Sequence, residues 1–210
     1  YETRSVIQVE AEDIARAQVY GSRSVLSEDL SKTIGVLNSR VFMDRVFSKL
    51  PLDVRYYNEG RFLDFELYTS TPFTVNYVIR EPEIYGVPIY ISFDTDSVFT
   101  VSYSYKTEKG TKSRSKIVKK GKWYEFPEFE FVVNVDEDKE SAIDQIRSQK
   151  NFYFSFMDIT KMYDRFRGRI TIDVLSESAK TIEILVKGSN PRIASHIANQ
   201  IAEEFQIFDI

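Results

Sequence analysis

Few side chains in this sequence are placed to do chemistry, and their types and spacing sort them quickly. His196 is the single histidine. A general base needs a nucleophile within reach and an acid to orient it, whereas His196 falls on the polar side of a helical repeat and reads as an exposed structural residue. One imidazole and no cysteine leave no ligand set for zinc, no thiolate and no disulfide. The eight glycines are scattered, and neither G-x-G-x-x-G nor G-x-x-x-x-G-K-[ST] occurs to cradle a phosphate. The G-x-S-x-G nucleophile elbow is also absent. Asp94 and Asp96 alternate by two but lack the full calcium loop, so they read as a turn or a weak cation site, as does the run Asp136, Glu137, Asp138. Carboxylate pairs for glycoside hydrolysis can lie far apart in a chain, and nothing singles one out here. The expectation is a non-enzymatic chain with no metal and no cofactor.

Two features point to binding instead. Between residues 106 and 122 the cations Lys106, Lys109, Lys112, Arg114, Lys116, Lys119, Lys120 and Lys122 are opposed only by Glu108, and from Glu125 to Asp144 the balance reverses. Lys109, Lys112, Arg114, Lys116, Lys119 and Lys120 are therefore candidate contacts to a neighbouring subunit or an anionic glycan or lipid surface. The simplest reading is a solvated hairpin or loop, which needs no ligand. Trp123 and Tyr124, beside Phe126, are candidates for stacking on a sugar or for packing inside a strand-rich region. The net charge of −4 argues against nucleic acid, whose backbone needs a basic surface.

The elements that would position these residues follow from periodicity. With 210 residues and 42% hydrophobic side chains the chain can bury a core. A short strand is expected over 3–10, then a loose connection over 11–23. Leu26, Leu30, Ile34, Leu37 and Val41 recur at helical spacing over 24–50, as one bent helix or two, weakened at Gly35 and Asn38 and stopped by Pro51. Ser24 or Ser27 is the expected cap. Beyond Gly60 the period becomes two: 62–68, 73–79, 89–93, 99–105 and 129–135 read as strands separated by turns, a succession that favours antiparallel pairing. Residues 151–157 add another strand, 159–166 a short helix, and 169–175 and 181–187 two more strands. Asn190 supplies a cap acceptor and Pro191 the first helical position of a closing amphipathic helix with Ile193, Ala194, Ile197, Ala198, Ile201, Ala202 and Phe205 on one stripe. No stop precedes Ile210. The expected fold is α+β, with a discontinuous α/β domain over 1–60 and 158–210 and an antiparallel insertion over 61–157. No apolar run reaches the ~18 residues of a membrane span, and a chain opening at Tyr1 is expected to be a processed or excised piece.

Several segments converge on one family. LNSRVFMDRVFSKLPLDVRYY at 37–57, Gly60 to Phe62, ELYTSTPF at 66–73, KWYEFPEFEF at 122–131 and SNPRIASHIANQIAEE at 189–204 together resemble the extracytoplasmic domain of the Wzz-like polysaccharide co-polymerases, in the large form found beside capsule or exopolysaccharide tyrosine kinases. The resemblance implies a membrane-proximal α/β domain with helices on a small mixed sheet and a large β insertion. It implies a domain on the periplasmic side of the bacterial inner membrane, anchored by flanking helices. Such a domain forms homo-oligomers, works with polymerase and export machinery, and helps set polysaccharide chain length without catalysis. The family usually places a long coiled hairpin after the last helix, which this sequence lacks. The competing reading is a carbohydrate-binding or carbohydrate-processing domain.

Overall fold

The computed structural model describes residues 1–9, 23–95, 97–108, 110–135 and 152–208. The expected loose connection, both serine caps of the first helix, Asp96, Lys109 and the acidic run at 136–138 lie outside the described residues or side chains. The chain divides into two compact units, one made of Tyr1–Leu50 with Ile159–Ile210 and one of Pro51–Asp158.

The terminal unit is built on a three-stranded sheet in which β1 (Glu2–Gln8) and β11 (Ile170–Ser176) flank β12 (Thr181–Lys187). Both pairings are antiparallel, so the sheet is not the mixed one that the resemblance implied. The reason is local: β11 and β12 form a hairpin, and β1 adds to the free edge of β12. Alternation along β12 buries Ile182, Ile184 and Val186, and the closing helix α4 (Pro191–Phe208) packs on β1 and β12. Its start is fixed as the sequence indicates: Asn190 Oδ1 accepts from the amides of Arg192 (3.0 Å) and Ile193 (3.4 Å). Ile193, Ala194, Ile197, Ala198 and Ile201 are buried, the alanines permitting close approach.

The helical region ahead of Pro51 is two helices, α1 (Arg23–Leu37) and α2 (Arg40–Ser48). Asn38 Nδ2 donates to the Ile34 carbonyl at the end of the first, and Ser39 Oγ accepts from the Phe42 amide at the start of the second. Polar side chains thus satisfy the groups that the break exposes. The break also rotates the stripe. Val41, expected inside, is 71% exposed, and Phe42, Met43, Val46 and Phe47 take the buried positions. A five-residue α3 (Met162–Phe166) contributes Phe166, whose ring lies 5.5 Å from that of Phe47.

The second unit begins earlier than the expected residue 61, because β2 (Val54–Asn58) pairs with β10 (Phe152–Phe156) and β3 (Phe65–Glu66). A six-stranded antiparallel sheet runs β3-β2-β10-β5-β6-β7, with β5 at Ile89–Phe93, β6 at Val98–Thr107 and β7 at Gly110–Lys119. A three-stranded sheet joins β4 (Phe73–Ile79), β9 (Phe129–Val135) and β8 (Trp123–Glu125). Alternate residues of β2, β4, β5, β6, β9 and β10 enter one shared core, to which β7 contributes Val118. Phe73 of the small sheet meets Phe152 and Phe154 of the large one edge to face, at 6.1 and 6.3 Å, and Phe129 meets Phe156 at 5.1 Å. Tyr56 reaches across to accept a hydrogen bond from the Val75 amide at 2.9 Å, and burial pushes its phenol up to about 12.

Phe62 and Leu63, expected in a strand, instead lie in the β2–β3 loop, 87% and 86% exposed. Gly60 and Asp64 close that loop through the Gly60 amide and Asp64 Oδ1, 3.2 Å apart. A Cβ at Gly60 would sit 2.0 Å from the Leu63 carbonyl oxygen, so the loop requires glycine there. Phe154→Ala is expected to cost about 3–5 kcal/mol of unfolding free energy in urea titrations. Phe62→Ala should stay within about 0.5 kcal/mol of the parent, because little packing is lost at an exposed position.

Candidate functional site

The basic run of the sequence becomes a long hairpin, and the pleat divides its charges. Lys112, Arg114 and Lys116 pair across strands with Tyr105, Tyr103 and Val101 and share the face that carries buried Val118. Lys119, opposite Val98, belongs to the other face. Lys120 lies just beyond the strand, its amide donating to the Ser97 carbonyl at 2.9 Å. The candidate cations therefore do not form one patch.

Beside Lys112 and Arg114 stands a residue that sequence reasoning did not single out. Glu128, in the β8–β9 turn, is fully buried. Its carboxylate accepts from Tyr103 through a short contact and from Tyr105 Oη at 3.0 Å, with Lys112 Nζ 4.0 Å away. Its carbonyl accepts from the amides of Arg80 and Glu81 at 2.9 and 3.0 Å. Burial pushes the carboxyl up, but the tyrosine hydroxyls outweigh it and, with Arg114, hold it below the usual range. Lys116 Nζ donates to the Glu125 carbonyl at 2.6 Å and lies over the Phe126 ring. Arg80 spans Glu125 and Glu130. Of the hairpin cations, Lys112 and Arg114 thus lie by the Glu128 carboxylate, and Lys116 is held by a backbone carbonyl of the same unit.

Trp123 and Tyr124 are adjacent in β8, so they project to opposite faces. Trp123 is 55% exposed. Tyr124 turns inward, 6.3 Å from the Phe131 ring, and its hydroxyl accepts from the Lys119 amide at 3.1 Å. They do not share a stacking surface. Asp94 is occupied by Thr100, whose Oγ1 donates to Oδ2 at 2.7 Å.

The outer face of the large sheet collects a set of rings that lie far apart in sequence. Tyr57 pairs with Tyr153, and Tyr153 with Tyr90, across three neighbouring strands. The Tyr57 and Tyr153 rings stack at 4.7 Å and 13°, and Tyr90 meets Tyr153 at 5.5 Å and 47°. Arg55 lies 5.0 Å over the Tyr57 ring while gripping Glu66 through two bonds of 2.6 and 2.7 Å. Tyr153 Oη donates to Asp64 Oδ2 at 2.8 Å. Beyond Tyr90 the same cross-strand row continues as Ser102 and Ser115.

In the terminal unit the salient group is Glu204. Its side chain on α4 is fully buried and is held by Lys49 through a short contact and by Arg45 Nε at 2.8 Å, both from the α2 end. Lys49 foremost, and Arg45 with it, keep its carboxyl below the ordinary range against the opposing effect of burial. His196 is exposed on the same helix.

Among the described residues no cluster of three His, Cys, Asp or Glu side chains could hold a metal, and no helix is long and apolar enough to cross a membrane. No protein-family model matches the chain, and no curated protein matches it.

Glu128 and Glu204 each have a folded-state pKa below that of an unfolded glutamate, about 4.3. The stability they contribute is therefore full above that value and lost as pH falls through their folded pKa. Glu204→Gln should flatten the acid-side decline of stability, read as the urea midpoint between pH 7 and pH 3. An unchanged decline would show that the carboxylate is not coupled to Lys49 and Arg45. Removing both cations, Arg45→Met with Lys49→Met, strands a buried carboxylate and should cost more at neutral pH, about 3–5 kcal/mol.

Proposed function

We propose that this chain is the non-catalytic extracytoplasmic domain of an inner-membrane polysaccharide co-polymerase, which oligomerises and helps control the chain length or export of a capsular or exopolysaccharide. The observation that carries the reading is the Glu204 clamp. Two segments of the resemblance, 37–57 and 189–204, are far apart in sequence, yet α2 and α4 from them pack together and share one buried carboxylate bound by Arg45 and Lys49. Their common occurrence thus has a physical reason: each completes the other's charge.

The architecture fits an assembling role. An antiparallel α+β frame encoded by both ends of the chain carries a separate β unit as an insertion. On this reading the domain faces the periplasm, is anchored through flanking membrane segments, and works beside polymerase and export machinery. Its partners are further copies of itself, since a ring needs a surface repeated around an axis. The full-length protein in detergent should run as a multimer, and cells lacking it should lose the modal length of their surface polysaccharide, restored by the parent gene. A monomer together with an unaltered length distribution would overturn the proposal.

A further inference from the structure

The ladder of tyrosines on the large sheet stops short of the sheet edge, and the way it stops leaves a binding surface. Tyr153 is enclosed, with Tyr57 on one side and Tyr90 on the other. Tyr90 has a ring on one side alone. Its other cross-strand neighbour is Ser102, too small to cover it, and Tyr90 remains 38% exposed. The ring therefore stands as a wall above a floor of short hydroxyl side chains: Ser92 beside it, then Ser102 and Ser115 on β6 and β7.

The floor is chemically unspent. On its flanks Ser113 donates to Ser104 at 3.1 Å and Thr100 donates to Asp94, so those hydroxyls are used within the protein. The hydroxyls of Ser92, Ser102 and Ser115 make no hydrogen bond among the described residues. The row from Tyr57 to Ser115 crosses β2, β10, β5, β6 and β7, about 19 Å at ~4.8 Å per strand.

Charge narrows the ligand. In a chain with 29% charged side chains, the outward positions from Tyr90 to Ser92, Thr100 to Ser104 and Ser113 to Ile117 carry none. The ionic groups nearest the tyrosine end are acidic: Glu59 and Asp64 add to burial in raising the Tyr90 phenol. Arg55 is already committed to Glu66 by two bonds. Lys106 and Lys119 share this outward face only at its two ends, four positions along from Ser102 and Ser115, so an anionic polymer on the row from Tyr90 to Ser115 would meet carboxylates at one end and no cation at the neighbouring outward positions. An uncharged polyhydroxylated chain would meet donors, acceptors and one bare aromatic face, onto which the weakly positive C–H groups of a sugar ring can stack.

We infer that Tyr90, with Ser92, Ser102 and Ser115, forms a subsite for uncharged sugar residues of a glycan chain. The inference deepens the function proposed above and rests on it for the source of the glycan; the site itself rests on the sheet. It places recognition on the opposite side of the hairpin from Lys112, Arg114 and Lys116.

The test is titration of the full 210-residue chain against an array of neutral oligosaccharides, with heparin as a polyanion control, followed by affinity measurement on the best neutral glycan. Saturable binding that heparin does not compete is expected. Tyr90→Ala should weaken it at least tenfold, as should Ser102→Tyr, which extends the ladder over the bare face by adding an aromatic cross-strand pair that the fold accommodates. Trp123→Ala should leave it unchanged. No binding to any neutral glycan, binding indifferent to Tyr90 and Ser102, or binding lost in Trp123→Ala would overturn the site. Glycan binding and the effect of gene loss on polymer length, measured together, separate the two proposals. Glycan binding without an effect of gene loss on polymer length overturns the co-polymerase function alone, and polymer-length control without glycan binding overturns the subsite alone.

Discussion

A strand can bury only every second side chain, and this pleat decides most of what the protein presents to its surroundings. In β10 it sends Phe152, Phe154 and Phe156 into the core and Tyr153 outward. Once those phenylalanines are committed between the sheets, the register of β2 and β5 against β10 is fixed, since a slip of one residue would expose them. Tyr57 and Tyr90 are then forced into line with Tyr153 on the far side. The ladder is thus a consequence of the core, and its precision is inherited from buried aromatic packing.

The same constraint explains why the basic hairpin is less available than its composition implies. Lys112, Arg114 and Lys116 occupy alternate positions, so they all fall on the side of β7 that faces the interior near its end. Lys112 and Arg114 remain exposed there, and an acid on that face can still partner them. Glu128 supplies one, and its full burial in turn requires the two tyrosine hydroxyls and the nearby cations. Cations pointing inward on an edge strand also discourage pairing with another chain. Electrostatics here serves the closure of the unit, while the outward side of the same hairpin is neutral along its middle and carries Lys106 and Lys119 at its two ends.

The sequence was most legible where signals are local. The Asn190-Pro191 start of α4, the β11–β12 hairpin and the alternation over β4 and β9 follow from neighbours within a few residues, and the structure has all of them. The break between α1 and α2 was half legible: Asn38 marked a weakness, but the capping bond of Ser39 that rotates the stripe away from Val41 depends on conformation. Strand β2 was hidden because residues 54–58 follow directly on a helical stretch without a glycine between them. The candidate sites were least legible. Glu128 meets Tyr103 across 25 positions of sequence and Glu204 meets Lys49 across 155, and in each case nothing near the glutamate marks it as different from an exposed one. Trp123 stood out by type, yet its type does not say which face it occupies.

The two buried glutamates show how one chemical device can serve different ends. Glu204 is bound by long cations whose stems reach in from half-exposed positions, so the pair ties helix to helix while keeping its positive side in water. Glu128 is bound first by neutral phenols, and its cation stands farther off. A carboxylate satisfied by hydroxyls depends on the placement of rings, and those rings, Tyr103 and Tyr105, lie in β6, the strand whose outward positions bear Ser102 and Ser104. The inward bonds therefore fix the strand that forms the floor beside Tyr90. A ligand on that floor would meet a surface already held rigid from below, without having to order it at the cost of its own binding free energy.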